Sequence, residues 1–346
     1  MARIFMEGFE HPGALHPWMT HTDGVGSIVG GVARSGSYAL QLYVGGATTP
    51  RTAYINLPAG VQREEFYFRV AFRSPVVTSQ NRPLLHVYSN TGQELARVNI
   101  YTTQIQVVVL GTSRIVSAPP ASLTNNTYYL LELHVKMGAT EGLVELRFGG
   151  IPLGSWAGPV QGTGTTIARV WLNTLASTAT TSAVDDIAIN DADGPVNNSW
   201  CGDGHILALR PTGVGDASQW ADQAGNQAAN WAAVDEVTPD NDTTCVVAHS
   251  SDLVDTYHLA NATLAEGDVI KAVQVLARAR TLVEQGDELL LGTRLDSNEA
   301  WSSPAPLLLS YSSFVSGVQE KAAGNTSWNL DKLNNLQAGI KSGNDS

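Results

Sequence analysis

The chain has 346 residues, a net charge of −12 and only 15% charged side chains, and it is long enough for two domains that each bury a core. Residues 1–194 carry 12 basic against 13 acidic side chains and residues 195–346 carry 8 against 19, which excludes the clustered basic surface that a nucleic-acid partner needs. No stretch approaches the roughly 18 consecutive apolar residues of a membrane span, and Glu7 and Gly8 interrupt the N-terminus before a signal-peptide core can form, so synthesis in the cytoplasm is expected.

In chain order, the first distinctive segment holds His11, His16 and His21 with two prolines between them. That spacing fits neither one helix face nor a usual zinc pair and predicts an exposed loop with Trp18 packed beneath it. Phe66, Phe68, Val70 and Phe72 then alternate with Tyr67, Arg69 and Arg73, the period of a strand with one face in the core. Tyr129, Leu131, Leu133, Val135 and Met137 oppose Glu132, His134 and Lys136, and after a turn Val144, Leu146 and Phe148 alternate with Glu145 and Arg147. This pattern predicts a hairpin. Residues 184–194, V-D-D-I-A-I-N-D-A-D-G, predict a closing strand with Ile187 and Ile189 inward. Asp185 and Asp186 would lead into it through side-chain turns, and Asn190, Asp191 and Asp193 would build the exit turn. Residues 1–194 therefore read as an antiparallel β-sandwich.

Residues 193–198 are turn chemistry throughout and mark an expected domain boundary. Residues 195–346 read as a second, acidic and mostly β domain. Lys271 to Arg280 alternates as a strand does, and the C-terminus predicts one short helix: Asn329 as cap, Leu330, Leu333 and Leu336 as stripe, Gly339 as stop. Cys201 and Cys245 lack metal-site spacing and read as reduced, packed thiols.

Several ordered pieces carry a resemblance: F-M-E-G-F-E at Phe5–Glu10, A-R-S-G-S-Y-A-L-Q-L at Ala33–Leu42, T-Y-Y-L-L-E-L-H-V, G-L-V-E-L-R-F-G-G, and A-V-D-D-I-A-I-N-D. In that order they resemble a concanavalin A-like lectin/glucanase (laminin-G-like) domain, a jelly roll whose last strand returns beside the first. In the second half, Asn197–Pro211, Asn230–Thr244 and Ser327–Ile340 resemble a domain of bacteriophage virion structural proteins. Together they imply a mainly β chain: a concanavalin A-like jelly roll over 1–194, then a phage structural-protein-like domain over 195–346.

The resemblance implies a virion component, tail-associated or decorating the head surface, assembling with other virion proteins and copies of itself. The alternative is a carbohydrate-binding receptor-recognition module that docks host cell-surface glycans. Glucanases of this fold pair two carboxylates about 5 Å apart. Glu141 and Glu145 lie four residues apart, about 13 Å along a strand, and the adjacent Glu64 and Glu65 point to opposite faces, so no catalytic residue and no enzymatic activity are expected. Tyr54, Tyr88, Tyr101 and Trp156 are the rings available to a sugar or an interface. Asp191 and Asp193 before Gly194 are the candidate calcium ligands, although the EF-hand frame would put Ile189 first and Trp200 twelfth. No other cofactor is expected.

Overall fold

The computed structural model describes residues 2–21, 26–42, 52–73, 82–101, 103–173, 182–283 and 286–344. The chain divides into two compact units, Met1–Pro12 with Trp18–Leu207, and Gly13–Pro17 with Ala208–Ser346.

The strands of the first unit are β1 (Arg3–Glu7), β2 (Met19–His21), β3 (Gly26–Gly30), β4 (Tyr38–Leu42), β5 (Thr52–Asn56), β6 (Glu65–Arg73), β7 (Arg82–Ser89), β8 (Glu94–Ile100), β9 (Ile105–Val109), β10 (Thr112–Ser117), β11 (Tyr128–Lys136), β12 (Gly142–Phe148), β13 (Ile151–Gly158), β14 (Ile167–Asn173) and β15 (Ser182–Asp191). They form two antiparallel sheets. One runs β13-β12-β11-β6-β15-β4-β3, with β1 also on β15; the other runs β10-β9-β8-β7-β14-β5-β2. The closing strand does return beside the first, pairing Ile187 with Glu7 and Asn190 with Arg3. Phe66, Phe68, Val70 and Phe72 of β6 are buried, as are Leu131, Leu133 and Val135 of β11, and Ile55, Val87, Val98, Val107 and Val170 of the second sheet are buried too. Each such side chain contributes about 1.5–3 kcal/mol of burial, and together they make the core of a jelly-roll sandwich.

The other face of the first sheet is buried as well. Arg69, Glu132 and His134 are 3%, 1% and 3% exposed because residues 195–207 lie over them as a strap. The Gly202 N–H donates to Glu132 Oε1 at 2.7 Å, and Arg69 Nη1 donates to the Gly202 carbonyl at 3.3 Å. Asn190 Nδ2 donates to the Ser199 carbonyl and the Ile206 N–H to Asp186 Oδ1. Trp200 packs edge-on against Tyr67 and carries the Arg147 guanidinium 4.0 Å above its ring. The turn at residues 193–198 thus leads into the strap, and the unit divides after Leu207.

Two local expectations are corrected. Asp185 and Asp186 do not lead into the closing strand: both are fully buried inside β15, at a bulge where its register against β6 shifts. Their carboxylates hold the 34–35 turn, Asp185 Oδ2 accepting from the Arg34 N–H at 2.8 Å and Asp186 Oδ1 from the Ser35 hydroxyl at 2.7 Å. His16 does not sit in an exposed loop. It is 1% exposed, and burial pushes its imidazole down to about 3. Trp18 stacks on Phe5.

The second unit is also mostly β. Its main sheet orders Pro211–Ser218, Val254–Leu259, Gln337–Asn344, Asp287–Leu295 and Asn298–Trp301, with Ala305–Pro306 beside Asp287–Leu295. Leu276–Ala279 is a strand paired with Ser312–Val315. Leu295, Ala322, Trp328 and Leu336 form a small core. The short helix spans Leu330–Asn334, and the Asn329 side chain caps it by accepting from the Lys332 N–H. Gly339 does not end that helix. It lies within the final strand, where a Cβ would meet the Trp301 ring at 2.7 Å, so glycine there makes room for the indole. No helix of the described residues is long and apolar enough to cross a membrane.

Candidate functional site

The second sheet turns a polar, aromatic face outward. Facing residues on neighbouring strands project to the same side, so its register reads off as rows. Thr20, Tyr54, Trp171, His86, Arg97 and Val108 form one row, from β2 through β5, β14, β7 and β8 to β9. Asn56, Arg169, Tyr88 and Glu94 form the next.

Trp171 is the hub of the first row. Tyr54 meets it edge-on at 5.0 Å between centroids, and Tyr88 lies tilted against it at 4.3 Å. His86 stacks parallel to Tyr88 at 6.0 Å. His86 Nδ1 lies 2.7 Å from Glu94 Oε2, and Asn173 Nδ2 lies 2.7 Å from His86 Nε2. A carboxylate only accepts, so the Nδ1 proton points at Glu94 and Nε2 accepts from the amide. Arg97 adds a salt bridge to Glu94 at 3.2 Å. Burial pushes the Glu94 carboxyl up, but the hydrogen bond from His86 and the charge of Arg97 outweigh it and hold it below its usual range. Burial, with the charge of Glu94, pushes the Tyr88 phenol up to about 12, so Tyr88 keeps its proton.

Four polar atoms of this face are shut from water without a hydrogen-bond partner: Arg97 Nε, Asn99 Oδ1, Trp171 Nε1 and Asn173 Oδ1. Asn99 is 0% and Asn173 7% exposed. An unsatisfied buried donor or acceptor costs about 1–3 kcal/mol, and four such atoms lie along this one sheet face.

Of the rings singled out in the sequence, Tyr54 and Tyr88 come together at Trp171. Tyr101 stands further along the same face, donating its hydroxyl to Gln106 Oε1 at 3.2 Å, an atom that also accepts from Asn99 Nδ2. Trp156 is elsewhere, on β13 of the first sheet, under the Arg114 guanidinium at 4.1 Å. Asp191 is fully buried, its Oδ1 accepting from the Asp193 N–H at 3.1 Å. Asp193 points outward and faces Arg63 at 3.5 Å. No group of three His, Cys, Asp or Glu side chains able to hold a metal occurs among the described residues. Cys201 and Cys245 are both free thiols.

Trp171, His86, Glu94, Arg97, Asn99, Asn173 and Arg169 were not singled out from the sequence. Their signal is alternation: His86 and Tyr88, Arg97 and Asn99, and Arg169, Trp171 and Asn173 each occupy every second position of a strand. On the first sheet, the structure brings together Glu65 and Glu145, a pair not weighed from the sequence. His134 bridges them, with Nε2 2.9 Å from Glu65 Oε1 and Nδ1 2.8 Å from Glu145 Oε2. Tyr67 stacks on this imidazole at 4.1 Å, and a clamped, covered ring of this kind stabilises the sheet.

No family model and no curated protein matches the sequence. Among solved structures the chain is similar to an endo-β-1,4-glucuronan lyase from the fungus Trichoderma reesei, at 15% identity and a TM-score of 0.44 over 54% of this chain and 95% of that one. It is also similar to an alginate lyase, at 12% identity and a TM-score of 0.36 over 50% of this chain and 98% of that one. A third is a carbohydrate esterase of the Shiga toxin-encoding bacteriophage phi24B, at 12% identity and a TM-score of 0.37 over 50% of this chain and 89% of that one. At such identities the likeness speaks to fold alone, and the fold is the concanavalin A-like jelly roll found among carbohydrate-active enzymes and lectins. It corrects one expectation: a sandwich shared with two lyases and an esterase gives no ground for classing this chain as a non-enzyme.

Proposed function

We propose that the outer face of the second sheet is a carbohydrate-binding surface. The observation that carries this reading is the cluster of three half-buried rings, Tyr54, Tyr88 and Trp171, on one sheet face, flanked by the polar side chains of Asn56, Glu94 and Arg169. Sugar rings present apolar C–H faces to aromatic side chains and hydroxyls that both donate and accept, and this face offers the complement of each. His86, Glu94 and Asn173 hold one another in place, so the polar groups are fixed before a ligand arrives and little ordering remains to be done on binding.

Glycan-array binding followed by titration calorimetry of the full chain tests the reading. Trp171→Ala should weaken the best array ligand by about tenfold or more, as truncation of a central aromatic anchor does, while the far-ultraviolet spectrum stays that of the parent. A chain that binds no glycan, or binds equally well without Trp171, would sink it. The same incubations assayed for shortened glycan report whether the face also cleaves what it holds. The virion setting rests on the sequence resemblance of residues 195–341. Mass spectrometry of purified particles, with copy number set against the major capsid protein, tests it; absence from the particles rejects it.

A further inference from the structure

The strands of the two sheets differ in charge. Those of the first sheet contain seven acidic residues against five basic ones, whereas the seven strands of the second contain Arg82, Arg97, Arg114 and Arg169 and a single acid, Glu94. That acid is spent within the protein: it faces His86 Nδ1 at 2.7 Å and Arg97 at 3.2 Å. Arg169 is exposed and opens the row of Tyr88 and Glu94; its Nε donates to Asn56 Oδ1 at 2.8 Å, and its terminal nitrogens have no protein partner among the described residues. Arg97, half-buried in the neighbouring row, meets Glu94 through Nη1 alone.

We infer that the ligand of this face is an anionic polysaccharide, recognised through a carboxylate or sulfate oxygen by Arg169 and Arg97 while Trp171 supports the sugar ring. The inference rests on the carbohydrate reading above and narrows it. An arginine fork matches the planar carboxylate and the sulfate alike, so the shared chemistry is an oxyanion on a sugar. The whole chain carries a charge of −12, which repels an anionic polymer in general. A preference for one would therefore report this face and not bulk attraction.

The test is titration calorimetry of the full chain with three chain-length-matched polymers: a polyuronate, a sulfated dextran and unmodified dextran, each at low and high salt. The expected result is at least tenfold tighter binding of one or both anionic polymers than of dextran. That gap should narrow as salt shortens the screening length from about 10 Å at 0.1 M to about 3 Å at 1 M. Arg169→Gln should lose about five- to tenfold for the anionic polymer and so narrow its gap to dextran. Which polymer binds better distinguishes carboxylate from sulfate. Equal binding of dextran and the anionic polymers, or an anionic preference untouched by Arg169→Gln, overturns the inference while leaving the carbohydrate reading intact. Failure of all three polymers, together with an empty glycan array, removes both.

Discussion

Asp185 and Asp186 are adjacent, buried and of like charge on one bulge of the closing strand. Asp186 adopts φ +49°, a left-handed conformation that aspartate tolerates better than most residues. Burial, reinforced by the charge of Asp186, pushes the Asp185 carboxyl up to about 7; burial pushes Asp191, at the end of the same strand, up to about 6. An unfolded aspartate titrates near 3.9, so between about pH 4 and pH 7 the folded chain holds protons that the unfolded chain has released. The stability these two groups contribute is full below about pH 4 and is lost as pH rises through 6 and 7. Glu94, held below its usual range, works in the opposite sense and only at acid pH. Thermal midpoints measured from pH 5 to pH 8 should accordingly decline for the parent. Asp185→Asn should start from a lower midpoint, because its amide keeps one acceptor oxygen and sets a donating NH2 against either the Asp186 N–H or the Arg34 and Ser35 N–H groups, yet show a shallower decline. Identical slopes in parent and variant would refute the assignment.

At the scale of the element, the strap over the first sheet is held as much by close approach as by hydrogen bonds. A Cβ on Gly8 would stand 2.8 Å from the Ile206 carbonyl oxygen and 2.9 Å from Ile206 Cβ, so Gly8→Ala must displace the strap or β1. Overpacking of this kind costs about 1–3 kcal/mol. Cys201 belongs to the strap and turns its thiol onto the sheet, 6% exposed, 3.6 Å from the Tyr67 carbonyl and pushed up by burial, and it should resist thiol reagents in the native chain. Half-buried Cys245 reacts first. In Gly8→Ala the protection of Cys201 should fall together with the thermal midpoint; unchanged values of both would show that the strap tolerates the methyl. The sequence made the strands legible because period-two alternation is local. The strap was not, because Ser199, Trp200, Gly202 and His205 read as the opening of the second domain until Glu132, Arg69 and Asp186 are seen beneath them. Asp185 and Asp186 read as turn formers for the same reason: side-chain turn propensity is local, and the bulge that buries them is set by pairing with β6. The candidate site was half legible. Tyr54 and Tyr88 stand out as rings, but their meeting at Trp171 depends on the order β8-β7-β14-β5, which no local pattern encodes.

For the whole molecule, residue totals hide where charge and domain limits fall. The near balance of 12 basic and 13 acidic residues in 1–194 conceals the acid-poor second sheet, and turn chemistry at 193–198 precedes the strap that the sandwich requires. A chain ended at residue 207 keeps the strap's hydrogen bonds to the first sheet. A chain ended at residue 194 strips Glu132 of the Gly202 N–H, Asp186 of the Ile206 N–H, Asn190 of the Ser199 carbonyl and Arg69 of the Gly202 carbonyl. It also uncovers Tyr67 and His134 by removing Trp200. A hydrogen bond to a charged group contributes about 1.5–3 kcal/mol, and Arg69 and Glu132 would each lose one, a loss reduced by whatever water the uncovered face admits. Against a typical domain stability of about 5–15 kcal/mol, the shorter chain should melt far below the longer one or fail to fold. Both truncations release Gly13–Pro17, which clusters with the second unit, so that loss cancels in the comparison. Circular dichroism melts of the two chains decide the matter: coincident curves would mean that the strap is an ornament on a sandwich complete at residue 194.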